Sequence, residues 1–178
     1  MRKQRGFTLI ELLIVVAIIA IIAAIAIPSL LRARVSANES ATIGDVRAVL
    51  SAQAAYHGAN GGLYDGNLAC LTAPQGCIPS YPSSAPTFLD SNMAALNPKS
   101  GYDRLFAGGT PPGTVAPTVS PTSVGAYKYD ARPTILGQTG IRAFAGDQSG
   151  RVCFTPDGTI VPAAPGGGLD PNCQGIQY

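Results

Sequence analysis

An uninterrupted apolar segment near the N-terminus constrains this chain more than any other feature. From Leu12 to Ile27 no residue carries a polar side chain. The wider segment Phe7–Leu31 would be roughly 37 Å long as an α-helix, enough to cross the roughly 30 Å hydrocarbon core of a bilayer. Positive charges beside an apolar segment stay on the cytoplasmic side of a membrane. Because Arg2, Lys3 and Arg5 precede it, the sequence predicts one membrane-spanning helix with the rest of the chain outside.

Glu11 lies inside this apolar segment. A carboxylate there costs on the order of 3 kcal/mol on insertion, and it indicates a function that involves a cationic partner. No Lys, Arg or His lies between Phe7 and Leu31. Cleavage of the chain just before Phe7 would supply the missing cation, because a new α-amino group is mostly protonated at neutral pH.

Residues 6–11 read GFTLIE. Together with the apolar tail, this sequence resembles the processing and methylation motif of type IV pilins and type II secretion pseudopilins. The resemblance implies cleavage between Gly6 and Phe7 by a prepilin peptidase, N-methylation of Phe7, and assembly through the Phe7 amine and Glu11. It covers residues 1 to about 32, under a fifth of the chain.

The rest of the chain resembles this family in plan, and we expect an α+β fold in which one long helix packs on a small antiparallel sheet. The expected helix ends at Asn60-Gly61-Gly62, since these residues tolerate positive φ. Pro28 either kinks this helix or ends it at the membrane boundary; we expect a kink, because helical patterning resumes at once. The predicted regions are a leader (1–6), a transmembrane and assembly helix (7–31), the amphipathic half of the same helix (32–60) and a globular head (61–178).

The second half of the helix shows helical periodicity. Ile43, Val46 and Leu50 are spaced by 3 and 4 residues, which predicts an apolar stripe against the head, and Val35 and Ala54 extend it less regularly. We place the polar face at Arg34, Glu39, Asp45 and Arg47.

Alternation of apolar and polar residues predicts strands in the second half of the head. Residues 146–150 read GDQSG, which favours a hairpin between the last two strands. Residues 63–98 are predicted to be a loop with about one helical turn near 89–96, and the uncharged, proline-rich residues 108–123 an exposed, irregular loop. The predicted strands are 102–107, 125–131, 141–145 and 151–155.

The chain has four cysteines, Cys70, Cys77, Cys153 and Cys173. An even number outside the membrane predicts two disulfides, with three possible pairings. We expect neighbours to pair, Cys70 with Cys77 and Cys153 with Cys173. The second bridge would resemble the disulfide-bounded C-terminal region of many type IV pilins, which the major secretion pseudopilins usually lack.

Composition and motifs argue against several other functions. After Gly6 the chain has nine basic and ten acidic residues, so there is no polybasic footprint for nucleic acid. No motif of a hydrolase, zinc protease or nucleotide-binding enzyme is present, and we expect no enzyme activity, cofactor or metal site. His57 is expected to be a surface or packing residue. A calcium site at Asp147, Asp157 and Asp170 is only weakly supported, because their spacing is not that of an EF-hand.

The sequence therefore predicts a structural filament subunit. Its expected partners are other copies of itself, the inner membrane before assembly, the prepilin peptidase and methylase, and the pilus or secretion assembly machinery. After assembly it would lie in a periplasmic or extracellular filament. A type II secretion pseudopilin is the alternative within the family. A secreted binding module with an ordinary signal peptide, cut after Ala24-Ile25-Ala26, is the alternative outside it.

Overall fold

The computed structural model describes residues 6–176 and is dominated by one helix. Helix α1 runs without interruption from Leu9 to Ala59 and contains Pro28. The alternative in which the helix ends at Pro28 is therefore wrong, whereas the kink stays a prediction. The helix ends where the sequence indicates, at Asn60 followed by Gly61 and Gly62 with φ of 61° and 84°. The predicted leader, residues 1–6, lies outside the described residues except for Gly6.

Two small sheets and two short α-helices follow α1, with one 3₁₀ turn, Pro74–Gly76, between the two helices. The first part of the head, predicted as loop, holds a short strand and both short helices, the second of which lies where one helical turn was expected. The four predicted strands are all present, with bounds shifted by one or two residues. The remaining elements are β1 (Tyr64–Asp65), α2 (Ala69–Thr72), α3 (Ser91–Ala94), β2 (Tyr102–Gly108), β3 (Ser123–Val124), β4 (Tyr127–Pro133), β5 (Ala143–Asp147), β6 (Val152–Thr155) and β7 (Gln174–Gly175).

The larger sheet is antiparallel, with strand order β2-β4-β5-β6-β7. Its longest pairing joins β2 to β4, from Tyr102 opposite Pro133 to Gly108 opposite Tyr127. Strands β1 and β3 form a separate two-stranded sheet near the C-terminal end of α1. The architecture is therefore α+β, a long N-terminal helix packed on antiparallel sheets, as expected.

The core lies between the C-terminal half of α1 and the larger sheet. Val46 and Val49 of α1 are fully buried. A Cβ placed on Gly146 of β5 would lie 2.4 Å from Leu50 Cδ1 and 2.8 Å from Val46 Cγ1. The helix thus approaches the sheet backbone closely at this glycine. The largest fully buried side chains facing this core are Tyr56, Tyr102, Tyr127, Tyr129 and Phe144.

The predicted faces of α1 need two corrections. Glu39, assigned to the polar face, is buried, and Ala54, assigned to the apolar stripe, is exposed. Gln53 is also fully buried, and it exchanges two 3.0 Å hydrogen bonds with the backbone of Asp65. Polar side chains can lie in this interface because the head supplies their hydrogen-bond partners.

Both disulfides are present in the structure, Cys70–Cys77 and Cys153–Cys173, with Cα–Cα distances of 5.7 and 5.8 Å. The second joins β6 to the C-terminal tail. Around it Val161 and Leu169 form a small apolar cluster with Ala145 of β5. The tail is therefore held by packing as well as by its disulfide.

The loop between β2 and β3 is irregular, as predicted, but its end is not exposed. Ser120 is fully buried, and its backbone N–H donates to Asn60 Oδ1 at 2.8 Å. The Asn60 amide also donates to Ser123 Oγ at 2.7 Å and to the Leu63 carbonyl at 3.1 Å. The C-cap residue of α1 thus anchors the loop, which corrects the prediction of a wholly exposed segment.

We predict that Gly146→Ala destabilises the head by about 1–3 kcal/mol, since overpacking a close-packed core costs that much. The added methyl group would collide with Leu50 and Val46 of α1. Urea denaturation of the detergent-solubilised protein, followed by circular dichroism, measures the change. The matched control is Gly125→Ala, whose Cβ has no atom within 4 Å. Equal stability of the two variants would contradict close packing at Gly146.

Candidate functional site

The N-terminal half of α1 is an apolar surface that the head does not cover. All its large apolar side chains from Phe7 to Leu31 are exposed, Phe7 at 82% and Ile25 at 73%. By length and composition α1 is able to cross a membrane, and none of its most apolar 18-residue window is buried against the described part of the chain. A surface of this size in a soluble monomer would be an exception, so it indicates lipid or other protein chains as its surroundings.

A capping box formed by Thr8 and Glu11 begins the helix. The Glu11 carboxylate accepts hydrogen bonds from Thr8 N at 2.9 Å and Thr8 Oγ1 at 2.7 Å, and Glu11 N donates to Thr8 Oγ1 at 3.3 Å. These bonds satisfy amide groups that have no partner inside the helix. Sequence reasoning missed this role, although Thr followed three residues later by Glu before an apolar run is its recognised signature.

The predicted site residues lie at the free end of the helix. Phe7 is exposed just before α1, and a Cβ on Gly6 would have no atom within 4 Å, so the backbone between them is accessible. Among residues 6–176 no hydrogen bond or ion pair joins Phe7 to Glu11. The Glu11 carboxylate, one turn into the helix, is held by Thr8 beside the N-terminal end of the helix dipole.

A second polar site joins α1 to the head. The Glu39 carboxylate accepts backbone N–H bonds from Ile141 at 3.0 Å and Arg142 at 3.1 Å. Its other oxygen binds the Arg142 guanidinium, at 2.9 Å from Nε and 2.7 Å from Nη2. Burial by itself would raise the pKa of Glu39, but the Ile141 amide and the Arg142 guanidinium and amide outweigh burial and lower that pKa.

Further contacts reinforce this junction. Asn38 Nδ2 donates to the Thr139 carbonyl at 2.8 Å. The Arg142 guanidinium lies 5.4 Å from the ring centroids of both Phe144 and Phe154, within the range of a cation–π interaction. Because several bonds converge here from one turn of α1, the junction fixes the orientation of the head about the helix.

The acidic residues of the head considered for calcium are not grouped around a common point. Within residues 6–176 no group of three His, Cys, Asp or Glu side chains is placed to hold a metal ion, and this includes Asp147, Asp157 and Asp170. Asp147 instead accepts the Leu169 N–H at 3.0 Å and binds Ser149, so it shapes the hairpin and the tail. His57 is half-buried, and its ring lies 4.5 Å from that of Tyr64, a packing role.

Comparison with known proteins agrees with the geometry of the N-terminus. A family model described as the prokaryotic N-terminal methylation motif matches residues 1–27. The matched segment is similar to the N-terminus of a type IV pilus component. The type IV wide pilus major component PilA4 of Thermus thermophilus is 60% identical over 40 residues, which are 22% of this chain and 30% of that protein. No solved structure gives a significant match.

The matched methylation motif coincides with the part of the chain that the head leaves bare. Residues 1–27 include the exposed Gly6–Phe7 bond, the capping box and nearly all of the apolar surface. The head, in contrast, lies outside the matched motif. Its pilin-like character rests on architecture, a long helix with an apolar free half and an antiparallel sheet on its other half.

We predict that Glu39→Gln destabilises the head at neutral pH by about 2 kcal/mol, because charge-assisted hydrogen bonds are roughly twice as strong as neutral ones. The pKa of Glu39 is below its ordinary value of 4.5. Its stabilisation is therefore complete above that pH and is lost as the pH falls through the lowered pKa. The melting temperatures of the wild type and the variant should therefore converge as the pH falls below 4.5 and through the lowered pKa, as circular dichroism would show.

The control for this prediction is Asp45→Asn, on the same helix. Asp45 pairs at 2.7 Å with Lys99, whose side chain is 49% exposed, and such pairs contribute little. The wild type and both variants keep the other acids, among them Asp65 and Asp130. The contributions of those acids to the pH dependence of stability therefore cancel in the comparison. If the melting curves of Glu39→Gln and the wild type stayed equally far apart across the pH range, the ionised Glu39 would not be what holds the junction.

Proposed function

We propose that this chain is the structural subunit of a type IV pilus-like filament, held in the inner membrane before assembly. The observation that carries the proposal is the division of α1 into a half packed on a folded head and an apolar half that touches nothing in the described chain. The motif match over residues 1–27 and the partial match to a pilus component support it. The match spans less than a third of that relative, so the function of this chain is inferred from its own geometry.

Two environments would remove the apolar side chains of the bare half of α1 from water. In the membrane, lipid covers the apolar side chains, and the cationic residues Arg2, Lys3 and Arg5 keep the N-terminus cytoplasmic. In a filament, the same side chains pack against those of other copies. Subunits related by a rotation that does not close form a helical fibre. The role is structural, with no catalytic step.

Processing precedes assembly in this proposal. A prepilin peptidase cuts between Gly6 and Phe7 and the new amine is methylated, which keeps it basic. Exposure of this bond and the lack of any atom near a Cβ on Gly6 support access of the peptidase. The pilus or secretion machinery then draws the helix out of the membrane.

Glu11 has two roles to be separated. In one chain it caps its own helix through Thr8. We propose that in the filament its charge also attracts the Phe7 amine of an incoming subunit. In apolar surroundings an unpaired charge is costly, so this pairing would set the axial position of each subunit.

A type II secretion pseudopilin is the second candidate, because it shares the same N-terminal motif. The Cys153–Cys173 bridge around the tail favours a pilus subunit, since it resembles the C-terminal region of many type IV pilins. A secreted module with a conventional signal peptide is disfavoured, because α1 continues through Ala24-Ile25-Ala26 into the half that packs on the head.

We predict that the mature protein begins at Phe7 and carries one added methyl group. Intact-mass spectrometry of the protein from cells would show the loss of residues 1–6. Gly6→Val should leave the precursor uncut, because a branched side chain obstructs approach to the scissile backbone. A mature N-terminus at Ile27 would instead support the signal-peptide alternative.

We predict that Glu11→Ala and Glu11→Gln both give a processed, membrane-held protein that forms few filaments. Glu11→Gln is the sharper variant, because glutamine retains the acceptor needed for a capping box while it removes the charge. Electron microscopy and quantification of sheared filaments, with no wild-type subunit present, measure assembly.

Thr8→Ala is the matched control, since it removes the capping partner and leaves the Glu11 charge in place. We expect it to assemble much better than Glu11→Gln. Normal filaments from Glu11→Gln together with defective ones from Thr8→Ala would show that Glu11 acts through helix capping instead of charge pairing. Mass spectrometry of each variant separates an assembly defect from a failure of cleavage or methylation.

A further inference from the structure

The exposed apolar side chains of the head are concentrated at one end. Five large ones are exposed among the described residues beyond α1: Leu105, Ile135, Leu136, Ile141 and Ile160. All but Leu105 lie in or beside the β4–β5 loop, residues 134–142, and the turn after β6. Single exposed apolar residues need no explanation, but three on one loop, with a fourth just after the turn that packs on that loop, indicate a contact surface. We call Ile135, Leu136, Ile141 and Ile160 the apolar foot.

The foot lies at the end of the head nearest the apolar half of α1. Arg142, just before β5, binds Glu39, whereas Gly146 later in β5 lies against Val46 and Leu50. Strand β5 therefore runs in the same direction as α1. The loop that precedes β5 must lie toward the N-terminal half of the helix, where the membrane-spanning segment ends.

A cleft of about 720 Å³ separates this loop from α1. On the helix side it is lined by Leu31, where the long apolar segment ends, and by the exposed Arg32 and Arg34. On the loop side Ile135 and Ile141 line it. The foot thus reaches the level of α1 at which the apolar segment gives way to arginines.

The turn after β6 supports the loop from the side. A Cβ placed on Gly158 would lie 2.6 Å from Leu136 Cδ1 and 3.0 Å from the Ile141 carbonyl. The turn is itself closed by hydrogen bonds from Thr159 to Asp157 and from Thr155 Oγ1 to the Thr159 carbonyl. The foot is therefore backed by a hydrogen-bonded turn.

We propose that the apolar foot inserts into the outer surface of the membrane while the subunit is stored there, with Arg32 and Arg34 binding lipid phosphates. The occupant of the cleft is then the headgroup region of the bilayer. This inference rests on the membrane-held stage of the proposed function. It adds a second membrane contact that holds the head at a fixed orientation on the bilayer.

Three features favour a bilayer over a second copy of the chain. The foot lies across the cleft from Leu31, where the apolar surface of the transmembrane helix ends. Phe7–Leu31, roughly 37 Å long as a helix, exceeds the roughly 30 Å hydrocarbon core, so Arg32 and Arg34 fall at headgroup level, where arginines attract anionic lipids. The glutamate facing the cleft, Glu39, is already paired with Arg142, and the nearby acid on the turn, Asp157, is engaged by Thr159, so neither neutralises these two arginines by a direct contact.

The chain has no tryptophan, so a single introduced tryptophan reports its own surroundings. We would insert full-length Leu136→Trp into vesicles of phosphatidylcholine and phosphatidylglycerol whose acyl chains carry bromine, a quencher. We expect blue-shifted emission that loses most of its intensity relative to unbrominated vesicles. Leu105→Trp, from the exposed apolar residue outside the foot, is the matched control and should emit as in water without quenching.

Ile18→Trp, in the centre of the apolar segment, reports insertion of the helix itself. Quenching of Ile18→Trp without quenching of Leu136→Trp would overturn the proposed insertion of the foot and leave the proposal of membrane storage intact. Absence of quenching at Ile18→Trp would instead overturn membrane storage. If Leu136→Trp stayed water-like in vesicles and shifted to the blue only in filaments, the foot would be a contact between subunits and the membrane proposal would be wrong.

The arginines are tested in the same assay. Added to Leu136→Trp, the double substitution Arg32→Gln with Arg34→Gln should reduce quenching in vesicles that contain phosphatidylglycerol. Added to Ile18→Trp, the same double substitution should leave the quenching unchanged. Arg47→Gln, on the same helix and outside the residues that line the cleft, is the control for each of the single variants Arg32→Gln and Arg34→Gln. Equal quenching with and without the two arginines would refute their part in the contact.

Discussion

The structure depends on the continuity of one helix, of which the N-terminal half is a bare apolar surface and the C-terminal half packs on the head. Helix α1 is unbroken from Leu9 to Ala59 even though Pro28 lacks an N–H for the Ala24 carbonyl. Since the same helix carries both the bare apolar surface and the packed core, any force on one half is transmitted to the other. A helix break between them would leave the head tethered but not oriented, and a filament built through the apolar half would have no defined outer surface.

The head achieves this rigid attachment with a small core and much polar bonding. Glu39 and Gln53 of α1 each have head backbone as partners, and Asn60 at the helix end holds a long loop. Lys128 on β4 is buried, 2.9 Å from Asp130 Oδ2, and it also donates to the Val161 carbonyl at 2.7 Å. Through this bond, and through Asp147, the sheet holds the glycine-rich segment between β6 and β7.

The buried acids affect stability in opposite senses. Burial raises the pKa of Asp65 and Asp130, even though backbone amides, for Asp65, and Lys128, for Asp130, counteract it. A raised pKa means that the folded state binds the proton more tightly than the unfolded chain does. The contribution of these two acids to the stability of the head therefore grows as the pH falls. Glu39, with its pKa lowered, contributes in the opposite direction. The pH dependence of the whole head is then the sum of opposing effects. Within residues 6–176, the junction with α1 is where an ionised carboxylate accepts bonds from both backbone and guanidinium.

The sequence by itself determined the parts governed by local rules: the apolar helix, its end at Asn60-Gly61-Gly62, the existence of the main strands and the family motif at residues 6–11. Helix periodicity, turn residues and the length of an apolar segment are properties of neighbouring residues, so they can be recognised in the sequence without knowledge of the fold. Only the tertiary structure decided that Glu39 is buried against Arg142, that Ser120 is held by Asn60, and that Ile135 and Ile141 lie across a cleft from Leu31. The partners in these contacts come from distant parts of the chain, about 100 residues apart at Glu39. From sequence alone a polar residue on a helix is predicted to face solvent, because only the fold shows whether a buried partner is present.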